Sequence, residues 1–186
     1  MIDDYPKQII LKDGQEVVLR LLRQSDFEPL IDFFRRIPDE ERWYNKHDLT
    51  DPELIRTWVE SVDLERVIPV VAEAEGRLVA QATLHRHRFG CLKHVGRIRI
   101  LVDSEFRGRR LGTWILLDLI NLGVSLGLER LEARFAVGPE DAAIQGARRL
   151  DFFEVATLPR YVKSKDGHYQ DLKIMIKRLH PGWDDF

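Results

Sequence analysis

Leu101-Val102-Asp103-Ser104-Glu105-Phe106-Arg107-Gly108-Arg109-Arg110-Leu111-Gly112-Thr113 joins two unlike kinds of sequence. Upstream, Arg97-Ile98-Arg99-Ile100-Leu101-Val102 is apolar and β-branched at alternate positions and reads as a strand. Downstream, residues 114–126 form an apolar run interrupted by Asp118 and Asn121, which reads as a buried helix. A strand, a short turn and a helix in that order aim several backbone N–H groups, and the positive end of a helix dipole, at one spot. Gly108 and Gly112 let a ligand approach the main chain, and Arg107, Arg109 and Arg110 add positive charge. The stretch predicts a phosphate or pyrophosphate site.

A chain of 186 residues suits a single domain spanning 1–186, large enough to bury a substantial core. Its formal charge of −2 gives no support to nucleic-acid binding, and Arg148 and Arg149 are too small a cluster to reverse that. Cys91 is the only cysteine, which excludes an internal disulfide and fits a reducing cytoplasm. Residues 1–6 lack the basic and apolar regions of a secretory signal, and residues 114–126 are too few to span a bilayer. The expectation is a cytoplasmic protein with neither a membrane nor a nucleic-acid partner. His85, His87 and His94 have no carboxylate or thiol at ligand spacing, so no metal is expected.

Elsewhere the pattern alternates between strands and helices. Residues 1–16 read as a lead-in with a turn at 12–15, and residues 17–22 as the first strand. Ser25 or Asp26 can cap a helix whose apolar positions Phe27, Leu30, Ile31, Phe33, Phe34 and Ile37 keep helical spacing up to Pro38. A charged link with Trp43 and Tyr44 follows. Asp51 and Pro52 then open a second helix. Strands over 67–74 and 78–85 flank a compact hairpin connection at Glu75-Gly76-Arg77. In the run after the opening stretch, Asp118, Asn121 and Ser125 fall on one narrow polar stripe, and Gly127 ends the helix. Residues 128–135 read as a strand, 139–150 as a helix and 152–156 as a strand, and residues 161–162 and 172–176 flank a turn at 165–168. The order β-α-α-β-β-β-α-β-α-β-β is a mixed α/β (α+β) layout.

With that element order around residues 100–112, the chain resembles the GNAT superfamily of acetyl-coenzyme A-dependent N-acyltransferases over roughly residues 17–179. The resemblance implies one α/β domain with a mixed, mostly antiparallel sheet of about seven strands and about four helices. It further implies a Gln/Arg-x-x-Gly-x-Gly/Ala signature whose amides hold the coenzyme A pyrophosphate. Arg107 fills its first position and Gly112 its last, while Arg110 replaces the middle glycine, an exchange that expects helical backbone there. The implied coenzyme site is Ile100, Leu101 and Val102 along the pantetheine, then Arg107, Gly108, Arg109, Arg110, Leu111, Gly112 and Thr113. Leu150-Asp151-Phe152 stands where the family has Leu-Gly-Phe, and residues 35–44 are similar to a segment of protein lysine acetyltransferase-like members. The implied activity is transfer of an acetyl group from acetyl-CoA to a small-molecule amine or a protein lysine, with a homodimer as the common assembly.

Acyl transfer from a thioester chiefly needs an aligned, deprotonated amine and a hydrogen-bond donor for the carbonyl oxygen. In the family a main-chain amide of the central strand supplies that donor, here at Leu101 or Val102. The family's tyrosine acid falls on Ala147, and the glutamate base of lysine acetyltransferase-like members falls on Arg97. His85, His87, Tyr161 and Tyr169 are the substitutes on offer. Arg97 and Arg99 share a strand face; they either line the acceptor cleft, together with Trp43 and Tyr44, or pair with Glu73, Asp103 or Glu132. The missing family groups leave a second expectation open, an acyl-CoA-binding sensor or regulatory module without catalysis. A Rossmann-type nucleotide site is disfavoured, because the turn follows several strands and no acidic residue stands at the required distance.

Overall fold

The computed structural model describes residues 2–179. Its strands are β1 (Lys7–Ile10), β2 (Glu16–Leu21), β3 (Val67–Ala74), β4 (Arg77–Arg86), β5 (Val95–Val102), β6 (Arg130–Ala136), β7 (Phe153–Lys163) and β8 (Tyr169–Arg178). The helices are α1 (Phe27–Arg36), α2 (Asp39–Arg42), α3 (Pro52–Glu60), α4 (Leu111–Ser125) and α5 (Asp141–Arg148). The strands form one sheet in the order β1-β2-β3-β4-β5-β6-β8-β7, antiparallel throughout except where β5 meets β6.

Sequence dictates most of these boundaries directly. Asp51 accepts hydrogen bonds from the Glu53 and Leu54 N–H groups ahead of Pro52, so α3 starts with a capped end. Glu75 and Gly76 take φ values of 50° and 75°, the pair of left-handed residues that a two-residue hairpin between β3 and β4 requires. Gly127, at φ 71°, lets the chain double back, and the Leu128 N–H donates to the Gly123 carbonyl at 3.0 Å while the Gly127 N–H donates to the Val124 carbonyl and closes the helix. Asp26 does not cap α1 with its side chain. Its carboxylate takes both arms of Arg20 at 2.7 and 2.8 Å instead, and the Arg23 N–H at 2.8 Å.

The sheet has eight strands rather than about seven, because residues 7–10 of the expected lead-in form β1. The polar stripe of α4 accounts for part of this. Asp118 is buried and receives the Lys7 ammonium at 2.7 Å and the Tyr5 hydroxyl, so the segment around β1 ties to α4 through a carboxylate. Burial first, then the hydrogen bond to Asp118 and its charge, push the Tyr5 hydroxyl far above its usual range.

Two apolar clusters lie on opposite faces of the sheet. Phe33, Phe34 and Ile55 of α1 and α3 pack with Val71, Leu78 and Leu101. Leu111, Ile115 and Leu119 of α4, and Ile144 of α5, pack with Ile98, Leu131 and Met175. Neighbouring residues of β5 thus point to different layers, which puts Arg97 and Arg99 on the α1–α3 side and Ile98 and Ile100 on the α4 side. Among the described residues no helix is long and apolar enough to cross a membrane.

Candidate active site

Between β5 and β6 the sheet is incomplete. The two parallel strands pair only at Val95↔Arg130, Gly96↔Leu131 and Arg97↔Glu132, although β5 continues to Val102 and β6 to Ala136. Past Arg97 they splay, and a wedge opens with strand edges as its walls. Gly96 sits where the wedge closes; a Cβ there would lie 2.7 Å from Leu128 Cδ1 and 2.8 Å from Leu84 Cδ1. Asp103 N–H reaches back to the Val79 carbonyl at 2.9 Å. Main-chain groups alternate in direction along a strand, so those of Val102 and Ile100 face the wedge while those of Leu101 face β4. Of the two amides expected to serve the carbonyl oxygen, the strand geometry favours Val102.

At the head of the wedge the chain turns into α4. Asp103 is buried, accepts from the Glu105 N–H at 3.2 Å and from Arg36 Nε at 2.8 Å, and so anchors the turn to α1. Within the described residues the backbone N–H groups of Gly108, Arg109, Arg110, Leu111, Gly112 and Thr113 donate no hydrogen bond, and α4 begins at Leu111. A phosphate cradle needs just such unspent donors at the positive end of a helix. Gly112 has only Val102 Cγ2, at 3.8 Å, within 4 Å of where a Cβ would stand. Arg110 is left-handed at φ 70°, not helical as expected. The signature's middle position therefore demands a glycine-like backbone even though an arginine occupies it.

The three arginines do not act as one patch. Arg107 donates to both oxygens of Glu41 on α2 and, through Nε and one amino group, to the Val102 carbonyl at 3.1 and 2.9 Å. Arg109 pairs with Asp13 in the β1–β2 turn and stacks over Phe106. Arg110 alone stays exposed with no side-chain partner among the described residues.

A cleft of about 350 Å³ lies on the α1–α3 side of the wedge, lined by Trp43, Tyr44, Lys46, Arg99, Arg134, Glu140, Val162 and Leu172 among others. Trp43 Nε1 donates to the Lys163 carbonyl at 2.7 Å, and Asp39 pairs with Lys165, so the segment after α1 is strapped onto the β7–β8 hairpin. Trp43, Tyr44 and Arg99 therefore come together. Arg97 is exposed and does not line the cleft. Arg99 pairs with none of Glu73, Asp103 and Glu132; its partner is Glu140, at 2.9 Å. Glu140 also accepts the Ala136 N–H at 2.7 Å, joining β5 to the end of β6 across the wedge. Sequence reading missed Glu140, whose only local signal is an acidic residue at the entry to α5.

His85 lies opposite Arg97 in the β4–β5 ladder, half-buried, with Nε2 3.1 Å from Thr83 Oγ1. Burial, then the charges of Arg97, Lys46 and His47, hold its imidazole below the ordinary range, so it is neutral at pH 7. His87 lies past the end of β4 and lines a different cleft, with Arg86, His94 and Gly127. Tyr161 and Tyr169 are 64% and 54% exposed on the hairpin and do not line the acceptor cleft. Ala147 is buried in the α4–α5 layer and offers no hydroxyl.

The sequence profile of the acetyltransferase (GNAT) family matches residues 26–152. No curated protein matches the chain in sequence. Among solved structures, a GNAT-family acetyltransferase of Streptococcus pneumoniae superposes with a TM-score of 0.77 at 18% identity, covering 88% of this chain and 99% of that one. The ribosomal-protein-alanine N-acetyltransferase of Brucella melitensis gives 0.73 at 25% identity over 87% and 99% of the two chains. The yncA protein of Salmonella typhimurium, solved with its cofactor acetyl-CoA, gives 0.73 at 20% identity over 90% and 96%.

Proposed function

The chain belongs to the acetyltransferase (GNAT) family, and on that premise we propose that it transfers an acetyl group from acetyl-CoA directly to a primary amine held in the Trp43–Arg99 cleft. The observation that carries this reading is the alignment of the unspent amides of residues 108–113 with the open edge of β5. The pyrophosphate takes the amides and the positive end of α4, and the pantetheine runs along the wedge-facing groups of Ile100 and Val102. The acetyl carbonyl then meets the Val102 N–H, which stabilises the oxyanion as the tetrahedral intermediate forms.

The amine attacks as the free base. Its nitrogen lone pair forms the C–N bond, the C–S bond breaks, and the coenzyme leaves as a thiolate that takes a proton from solvent, since Ala147 supplies none. His85, opposite Arg97 on the acceptor face of the sheet but outside the cleft lining, is the neutral group that takes the amine's proton through water. His87, Tyr161 and Tyr169 are exposed and lie outside that cleft, so this reading gives them no part in the proton transfer.

Calorimetry with acetyl-CoA and an assay of thiol release test this reading. Gly112→Asp places a carboxylate on the phosphate cradle with only one ordinary contact to the rest of the fold. The expected result is loss of coenzyme affinity by at least about 30-fold with little change in melting temperature. Unchanged affinity in the folded variant would overturn the assigned site. The replacement of both family side chains, at Ala147 and Arg97, favours a second reading, a coenzyme sensor without catalysis. Tight binding with no thiol release from any acceptor would favour that reading.

A further inference from the structure

Four cationic residues, Lys46, Arg99, Arg134 and Lys163, line the acceptor cleft against the carboxylate of Glu140 in the lining and that of Glu132, which pairs with Arg134 at 2.7 Å, so the cations remain in excess. A bare ammonium meets net repulsion there. Arg99 and Glu140, 2.9 Å apart, nonetheless present one positive and one negative group side by side. Arg99 is also incompletely satisfied, since its Nε is buried and has no hydrogen-bond partner. Around this pair stand Trp43, Tyr44, Val162 and Leu172, which give the cleft an apolar wall, and its volume of about 350 Å³ suits a small molecule.

Resting on the acetyltransferase reading, we infer that the acceptor is a small zwitterion, an α-amino acid with an apolar side chain, rather than a lysine side chain or the amino terminus of a protein. Such a molecule carries its charges on neighbouring atoms in the order that complements the pair. Its carboxylate meets Arg99, where a planar guanidinium can hold two oxygens, and its ammonium meets Glu140. Lys46 adds attraction for the carboxylate, while Arg134 is held by Glu132 at 2.7 Å, and the side chain lies against Trp43 and Leu172. A simple amine lacks the anion that offsets the cationic lining. A lysine peptide lacks it too, and a peptide amino terminus has its carboxyl group converted to a neutral amide.

The test compares thiol release from acetyl-CoA with four acceptors: leucine, 3-methylbutylamine, an N-terminally blocked lysine peptide and a peptide that begins with alanine. The expected kcat/KM for leucine exceeds that for each of the others by about 30-fold, the worth of a charge-assisted contact. If the amine or either peptide matches leucine, the inference is overturned and acetyl transfer stands. If acetyl-CoA binds and none of the four acceptors releases thiol, the inference is overturned, and thiol release with a wider panel of amines then decides acetyl transfer itself. Arg99→Gln should bring the leucine-to-amine ratio to within about threefold, and Arg99→Lys, which keeps the charge and loses the fork, should leave an intermediate ratio. A ratio that persists in the folded Arg99→Gln protein would also overturn the assignment, and the wild-type comparison decides alone should neither variant fold.

Discussion

Arg110 and Asp151 occupy two positions where the family pattern has glycine, and both are left-handed, at φ 70° and 61°. The backbone has kept the shape that selects glycine while the residues have changed. Asp tolerates that conformation, whereas Arg pays for it with Cβ crowding of about 1 kcal/mol. Since the Arg110 side chain has no hydrogen-bond or ion-pair partner among the described residues, Arg110→Gly should raise the melting temperature by about 2–4 °C; a fall on thermal unfolding would contradict this. A second prediction concerns His85. If it takes the amine's proton, kcat/KM falls as pH drops through its folded-state pKa, which burial and Arg97 hold below the ordinary value of about 6.5. His85→Gln should flatten that acid limb and cost about 100-fold in rate at pH 7, and an unchanged pH profile would remove His85 from the mechanism.

The elements differ in how much of each is written locally. Pro38, the Asp51-Pro52 start and the Glu75-Gly76 turn mark their boundaries within a few residues, so α1, α3 and the β3–β4 hairpin can be read from the chain. β1 cannot, because Lys7-Gln8-Ile9-Ile10 is short and part of its anchorage comes from Asp118, far along the sequence. The same limit applies to the site. The phosphate turn is legible, since glycines between an apolar strand and an apolar helix form a local signal. Glu140 is not, because its role depends on Arg99 reaching it from another strand, and the wedge is a property of pairing that no single segment encodes. Gly96, where the wedge closes, gives a prediction at this scale. Gly96→Ala puts a methyl into Leu128 and Leu84 and should destabilise the protein by about 1–3 kcal/mol, measured by denaturant unfolding, while Gly112→Ala stays near neutral.

Across the whole molecule, Arg20 acts as a junction. It holds Asp26 at the entry to α1 and Glu73 on β3, and both Arg20 and Asp26 are buried. Burial raises the Asp26 carboxyl, but the hydrogen bonds from Arg20 and from the Arg23 N–H outweigh it, and the net shift is downward. A carboxyl with a depressed folded pKa stabilises above its unfolded value of about 3.9, and that contribution disappears as pH falls through the folded value. Asp26→Asn should therefore lower stability by about 3 kcal/mol at pH 7, and the gap to wild type should narrow below about pH 4. A gap that stays constant to pH 2 would refute this role. The splayed sheet has a different kind of consequence, one that concerns descent rather than stability. Because the edge offered at Ile100 and Val102 is main chain, no single side-chain replacement can delete it. Solved structures at 15% and 25% identity share this fold, with TM-scores of 0.77 and 0.73, as a main-chain feature allows. The proposed acceptor cleft beside it is built from side chains instead, so on that proposal a replacement at Arg99 or Glu140 would alter the choice of acceptor and leave the edge intact.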